Sequence, residues 1–379
     1  APEGVKGISL FVVPKFMVKA DGSLGNRNDV HCVSIEHKMG IKASPTAVLQ
    51  YGDNGGAIGY LVGEENRGLE YMFIMMNAAR YAVGVQGIAI AERSYQKAVQ
   101  YAKDRVQSRP VDGSMNTSAP IIHHPDVKRM LMTMRASTEG CRALATVAAA
   151  AYDAAHHHPD AEVRQQNALF YEFMVPLVKG YSTEMSLEVT SLGVQVHGGM
   201  GFIEETGAAQ YYRDAKILTI YEGTTAIQAN DLVGRKTARD GGQTAKALAG
   251  QVEQTENELL TSANADAQAV GRRLKAARLA FLDVVNFVAG NTKAKPNDVF
   301  AGSVPYLMLT GNLMAGWQMG RALLVALSLH EQGQDKAFME AKVITARFYA
   351  DHLLSRAPGM RDSIVEGAKC VTELALEAF

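Results

Sequence analysis

An excess of charge of either sign is missing from this chain: 38 Lys and Arg stand against 39 Asp and Glu, a formal net charge of −1. Without a polybasic field nothing holds nucleic acid or an anionic membrane surface, so a small or uncharged-surface partner is expected. Cysteine is scarce. Cys32, Cys141 and Cys370 are scattered, odd in number and without metal-ligand spacing. They imply no disulfide framework and fit ordinary buried thiols in a reducing compartment, here expected to be a bacterial cytoplasm. The opening residues alternate strand-like and charged positions, so no signal peptide is expected there. An initiating methionine is also lacking: APEGVKGISLFVVPKF runs at once into a strong strand, Ile8 to Val13, and such a strand needs neighbours. The expectation is a sequence that opens inside a domain, so that any site shared with an earlier part looks incomplete here. A long uninterrupted apolar run is absent too. The stretch from Val304 to Leu329 carries one charge, Arg321, but Pro305, Asn312, Gln318 and three glycines break it. Its length could span a bilayer. The polar interruptions favour a buried soluble helix with no membrane span, and Gly316 and Gly320, one turn apart, would let two helices approach closely.

What is present suits a globular chain: 47% hydrophobic residues over 379 positions can bury a sizeable core in two or three domains. From Gly7 to about Val62 the text is strand-like, with GISLFVVPKF, VHCVSIEHK, TAVLQYG and AIGYLVG separated by Gly, Asn, Asp and Pro clusters. After Gly63 the apolar period becomes helical over Leu69 to Lys103, Asp126 to Ala155 and Glu162 to about Val196. Pro125 followed by Asp126 is a conventional helix opening. A polar, Gly/Ala-rich stretch at about 235 to 250 reads as a link to a further helical block reaching Phe379. The expected class is α+β, with a partial β-domain over 1–62, a helical bundle over 63–240 and an additional helical domain over 241–379.

One carboxylate stands out. In ILTIYEGTTAIQANDLVGRK, residues 217 to 236, Glu222 lies between an apolar run and Thr225-Ala226-Ile227-Gln228, which matches a capping box. Glu222 is thus placed just outside a helix N-terminus, where free amides can hold an anion and Gly223 permits a tight turn facing a cavity. By itself this is weak, because a Glu in that position is ordinarily a solvated charge complementing the helix dipole. Other conspicuous residues read blandly. His156-His157-His158 at a Pro-terminated helix end is a solvated turn rather than a metal tract, and no metal is expected. His123-His124 is an extended lead-in to Pro125. GGMG at 198 to 201 lacks the strand-turn-helix unit of a nicotinamide site. The 17 methionines fill irregular helical cores, and no Ser or Cys sits in a nucleophile motif.

SLGVQVHGGMGFIEETGAAQYYRDAKI and the IYEGTTAIQ that follows change the weight of Glu222, because together they closely resemble the C-terminal part of the acyl-CoA dehydrogenase family. The resemblance runs in order from Gly7 to about Lys236. GISLFVVPK and EHKMGIKAS resemble the family's β-domain, a barrel or sandwich of which this would be a remnant. MMNAARYAVGVQGIA resembles the next helix, YAKDRVQSR the arginine motif, QVHGGMGF the glycine turn and IYEGTTAIQ the catalytic turn of a four-helix bundle. The tail, with AGSVPYLMLTGNLMAGWQMGRALL, is similar to the extra helical domain of the family's longer members.

That resemblance implies FAD as cofactor and an acyl-CoA as substrate. Glu222 matches the base that removes the α-proton while hydride leaves the β-carbon for flavin N5, and its backbone N–H would bond the thioester carbonyl. Members that carry the base on the earlier helix have it where Ala79 stands here, and an alanine cannot abstract a proton. Arg105, Gln195, Gly198 and Gly199 match contacts to the FAD of a neighbouring subunit, which implies a homodimer or a dimer of dimers. Thr224 and Gln228 match residues near the FAD of the subunit that supplies Glu222. Asn77, Arg80, Tyr221 and Gly223 are the implied substrate-side residues. Two departures are visible: Asn77 stands where many members have an acid, and Ser108-Arg109 replaces Phe-Gly after the arginine motif. The flavin-ring loop and Trp-containing strand that lie upstream in the family are not in this sequence. The implied activity is α,β-dehydrogenation of an acyl-CoA with electrons passed to an electron-transfer flavoprotein. The alternatives are an acyl-CoA oxidase and a non-catalytic flavin-carrying relative associated with DNA.

Overall fold

The computed structural model describes every residue from Ala1 to Phe379, in two compact units, Ala1–Ala79 and Arg80–Phe379. The first unit holds six short strands: β1 Leu10–Val12, β2 Phe16–Val18, β3 Leu24–Arg27, β4 Val30–Ile35, β5 Ala47–Tyr51 and β6 Tyr60–Val62. They pair antiparallel as three separate ribbons, β1 with β6, β2 with β3 and β4 with β5. Asn28 ties the ribbons together. Its side-chain amide donates to Pro14 O at 2.9 Å and Ile58 O at 2.8 Å, and its Oδ1 accepts from Ile58 N at 3.0 Å. A buried Asn is tolerated only when so satisfied. Val30 is the one buried hydrophobic side chain in this unit, while Phe11, Val12, Val33, Ile35, Val48 and Leu49 are exposed. The strands form where strand-like runs were expected but enclose almost no interior, and of the three thiols expected to be buried Cys141 is, whereas Cys32 on β4 and Cys370 are exposed.

The remaining chain is helical. Helix α1, Gly68–Asp104, runs from the first unit into the second; α2 is Pro125–His157, α3 Ala161–His197, α4 Ala208–Lys216 and α5 Thr225–Asp231, which continues as a π-helical turn over Leu232–Ala238. The tail adds α6 Gln243–Thr261, α7 Ala265–Asn291, α8 Pro296–Ala301, α9 Ser303–Glu331, α10 Lys336–His352, α11 Ala357–Val365 and α12 Ala368–Thr372. Pro125 and Asp126 open α2 as expected. HHHPD becomes a helix–helix corner, with His158 at the end of α2 and Asp160 capping α3 by accepting from Glu162 N at 2.8 Å. The stretch read as a linker at about 235 to 250 is mostly helical. Only its middle is a turn, in which the Asp240 carboxylate accepts from Gly242 N and Thr244 N, each at 2.9 Å.

Within the second unit α1 and α3 run side by side in the same direction, and small residues set their distance. A Cβ on Gly84 would lie 2.3 Å from Val178 O, and one on Gly193 would lie 2.2 Å from Ser94 Oγ. One contiguous hydrophobic core then extends from Ile88 to Ile364, through bundle and tail alike. Helix α9 lies at its centre, buried along most of its length. Polar bonds pin it to its neighbours: Trp317 Nε1 donates to Thr255 Oγ1 at 2.9 Å, Asn312 Nδ2 to Leu353 O at 2.8 Å, and the hydroxyls of Tyr306 and Thr237 meet at 2.9 Å. Gly316 does admit a close neighbour, since a Cβ there would lie 2.6 Å from Leu354 Cδ2. By length and composition alone the helix able to cross a membrane is α1, not α9.

Gly84→Ala is expected to overpack the α1–α3 contact against backbone and to destabilise the protein by about 1–3 kcal/mol. Unfolding in denaturant measures this, and an unchanged midpoint would show that the two helices do not approach so closely.

Candidate active site

The candidate site is the turn between α4 and α5. After the 3₁₀ turn Ile217–Thr219, the amides of Ile220 and Tyr221 both donate to Ile217 O, at 2.9 and 3.0 Å. The chain then places two successive residues in the left-handed region, Glu222 at φ 55° and Gly223 at φ 86°. Gly accepts that conformation freely, whereas for Glu it costs roughly 1–2 kcal/mol, so surrounding contacts must impose it. Three side chains do so. Lys179 Nζ donates to Leu218 O at 2.8 Å and to Gly223 O at 2.7 Å. Gln228 Nε2 donates to Gly223 O at 3.3 Å and to Glu222 O at 3.4 Å. Tyr221 Oη donates to Gln86 Oε1 on α1 at 2.8 Å. Burial, with the Glu222 charge adding to it, raises the Tyr221 phenol above its ordinary pKa, so it stays a neutral donor.

The cap of α5 differs from the expected capping box. Thr224, not Thr225, is the N-cap: its Oγ1 accepts from Ile227 N at 3.3 Å, and the box's third position is then apolar Ile227. Thr225 donates instead to Glu184 Oε1 at 2.5 Å, and Gln228 turns back to the carbonyls of the turn. The box failed because one residue of register decides which hydroxyl meets which amide.

What this leaves is a half-buried Glu222 whose carboxylate makes no hydrogen bond or ion pair, beside backbone amides of Glu222, Gly223 and Thr224 that donate to nothing in the chain. Arg80 lies buried on α1 with Nε unpartnered. Lys179 is fully buried, and its ammonium is pushed down to about 8, chiefly by burial; Glu184 and Glu222 oppose that shift and Arg80 adds to it. Asn77 is exposed on α1 and falls within the first unit.

The remaining sequence candidates gather elsewhere. Gly198 ends α3 at φ 58° and ψ −138°, a conformation open to glycine, and a Cβ on either Gly198 or Gly199 would meet nothing within 4 Å. Beside them Gln195 is exposed and lines a groove of about 480 Å³ with Val194, Phe202, Tyr212 and Arg213. Tyr101 stacks on His197 with ring centroids 4.4 Å apart, which brings the end of α1, and with it Arg105, to the end of α3. Arg105 is exposed and its guanidinium has no ion pair. The departure at Ser108 takes a left-handed φ of 59° in the loop that follows. Counting 1.5 Å per residue along α1 from Arg80 to Tyr101, this end lies roughly 30 Å from the Glu222 turn.

Sequence reasoning missed Lys179, Glu184 and Gln86. A signal for Lys179 existed: a lone charge in FMVPLVKGYS, where apolar neighbours on both sides leave it little water.

Residues 66–236 match the acyl-CoA dehydrogenase C-terminal domain, and residues 248–375 match the acetyl-CoA dehydrogenase C-terminal-like domain. This chain carries acyl-CoA dehydrogenase C-terminal domains. It is 58% identical to 3-methylmercaptopropionyl-CoA dehydrogenase of Ruegeria pomeroyi, over 93% of this chain and 59% of that protein. It is 37% identical to the broad-specificity linear acyl-CoA dehydrogenase FadE5 of Mycobacterium tuberculosis, over 100% of this chain and 64% of that protein. The chain thus spans about six-tenths of the length of these curated relatives. Two solved structures share the fold. Caenorhabditis elegans ACDH-11 in complex with C11-CoA aligns with TM-score 0.71 at 20% identity, over 96% of this chain and 58% of that one. The Bacillus anthracis acyl-CoA dehydrogenase complexed with FAD aligns with TM-score 0.70 at 21% identity, over 96% and 60%. Both the α+β class and the helical tail of a long acyl-CoA dehydrogenase, expected from the motifs, agree with these matches.

Gly223→Ala places a side chain at φ 86° with its Cβ 2.7 Å from Gln228 Nε2. It is expected to cost about 1–2 kcal/mol and to loosen the turn, read as faster amide exchange in the peptide spanning 217–228. Unaltered exchange would mean that the turn does not depend on this backbone conformation.

Proposed function

We propose that the intact protein is an acyl-CoA dehydrogenase that removes the hydrogens from Cα and Cβ of an acyl-CoA thioester, with Glu222 as the base. The observation that carries this reading is the unpartnered, half-buried Glu222 carboxylate on a turn whose own amides are free. A carboxylate without a partner can accept a proton, and the adjacent Glu222 N–H can donate to the thioester oxygen as negative charge gathers there. The oxygen and the α-carbon of a thioester are close enough for one residue to serve both. Tyr221 and Gly223 flank the base, and buried Arg80, with its unpartnered Nε, and Asn77 are the remaining substrate-side candidates. The likeness to 3-methylmercaptopropionyl-CoA dehydrogenase makes a short, sulfur-containing acyl group the first substrate to try.

The residues present fit FAD. An unpaired Arg105 guanidinium, an exposed Gln195 and the bare backbone of Gly198–Gly199 suit a pyrophosphate, because an anion can approach glycine backbone closely and meets a cation without a competing carboxylate. The cofactor's contribution, when bound, is a hydride acceptor at flavin N5. Thr224 and Gln228, beside the base, are the candidates nearest the reacting end. The separation of roughly 30 Å along α1 between the two groups supports their serving two cofactor molecules, as in a homodimer or dimer of dimers where Arg105 and Gln195 reach a neighbour's FAD. Electrons would then pass to an electron-transfer flavoprotein in a cytoplasmic setting.

The test is a panel of acyl-CoAs offered to the intact, flavin-loaded protein, comparing wild type with Glu222→Gln. Flavin bleaching is expected with at least one thioester and to fall by about 10²–10⁴-fold in the variant, with flavin content unchanged. Undiminished bleaching in the variant would remove Glu222 as base, and hydrogen peroxide released at each turnover would make the enzyme an oxidase.

A further inference from the structure

We infer that Lys179 is a positioning residue for the base: its buried side chain clamps both ends of the Glu222 turn and so fixes where the Glu222 carboxylate stands. This rests on the reading of Glu222 as base. The geometry is specific. One Nζ takes the carbonyls of Leu218, where the turn begins, and of Gly223, where it ends, at 2.8 and 2.7 Å. In a trans peptide the C=O and the next N–H point oppositely. With Gly223 O drawn inward by Lys179 and Glu222 O held by Gln228, the amides of Thr224 and Gly223 are turned away from the interior, and neither is bonded to the chain. The clamp therefore fixes the left-handed backbone that presents Glu222.

Electrostatics point the same way. The charged groups facing Lys179 are Glu184 from its own helix α3, Arg80 from α1 and Glu222 from the turn. Glu184 is engaged by the Thr225 hydroxyl, and Arg80 is a like charge. Glu222 is the anion left without a hydrogen bond, and its charge favours the ammonium form of Lys179. A buried ammonium is expensive, and a Met or Leu in the same apolar segment of α3 would pack without that cost. Burial brings Lys179 down to about 8. Above that pH the neutral amine still has N–H groups for both carbonyls, so positioning outlasts the charge.

The test uses the intact, flavin-loaded enzyme with Lys179→Met, Lys179→Arg and Lys179→Gln, beside Glu222→Gln. For Lys179→Met, kcat is expected to fall by about 10²-fold, the scale of a misplaced catalytic group, while KM moves only a few-fold. Amide exchange in the peptide 217–228 should quicken at least tenfold, whether or not substrate is present. Lys179→Arg should restore part of kcat. Lys179→Gln, which keeps a donor, should slow exchange relative to Met, and it stands in if the Met variant does not fold. A folded, flavin-loaded Met or Gln variant with wild-type kcat and exchange would overturn the inference, as would an Arg variant no better than Met. Activity surviving Glu222→Gln would instead sink the base assignment, and the exchange result would still decide whether Lys179 clamps the turn.

Discussion

The ammonium of Lys179 sits where an apolar helix would otherwise need nothing polar, and the backbone around Glu222 is folded onto it. Two carbonyls converge on one nitrogen, and the intervening residues are forced into a left-handed turn that a glutamate would not choose alone. Strain of that kind persists only where neighbours over-determine it, and here Lys179, Gln228 and Tyr221 each hold a different part. The outcome is a carboxylate and several amides with no partners inside the protein.

The helix that carries Lys179, α3, is packed closely on more than one side. Gly84 and Gly193 let α1 and α3 meet almost backbone to backbone, and the tail closes over them from the other side. The hydroxyls of Tyr181 on α3 and Tyr349 on α10 meet at 3.0 Å, and Tyr349 also donates to Asn312 O on α9 at 3.2 Å. Burial keeps both phenols protonated. The tail is thus joined to the helix that carries Lys179 by a buried polar chain as well as by apolar packing. In close-packed interiors a displacement at one helix is passed to its neighbour rather than absorbed. The tail packs directly beside the clamp, since Gly180, next to Lys179, lies against Leu307 of α9.

The parallel run of α1 and α3 also explains why the candidate residues fall into two groups. Residues near the starts of the paired segments, Arg80 and Lys179, lie by the Glu222 turn, and residues at the ends, Arg105, Gln195, Gly198 and Gly199, lie a helix length away. One rigid pair of helices thus offers two chemically different ends: an acid turn at one, and an unpaired cation beside bare glycine backbone at the other.

Short-range features were legible in the sequence. Strand-like runs, the helical period, Pro125 with Asp126, and the position of Glu222 on a Gly-containing turn before a helix depend on neighbours a few residues apart. The ordered motifs, through QVHGGMGF and IYEGTTAIQ, were enough for the family, and the interrupted run at Val304 to Leu329 was enough to read a buried helix. Tertiary structure decided the rest. Whether Thr224 or Thr225 caps α5 turns on a single residue of register, and the supposed linker is helical on both sides of a short turn at Asp240 because the core extends across it. That a lysine some forty residues upstream holds both ends of the Glu222 turn is a contact between segments far apart in the chain. Periodicity reports which face of a helix is apolar, but not which distant carbonyls a buried charge will find.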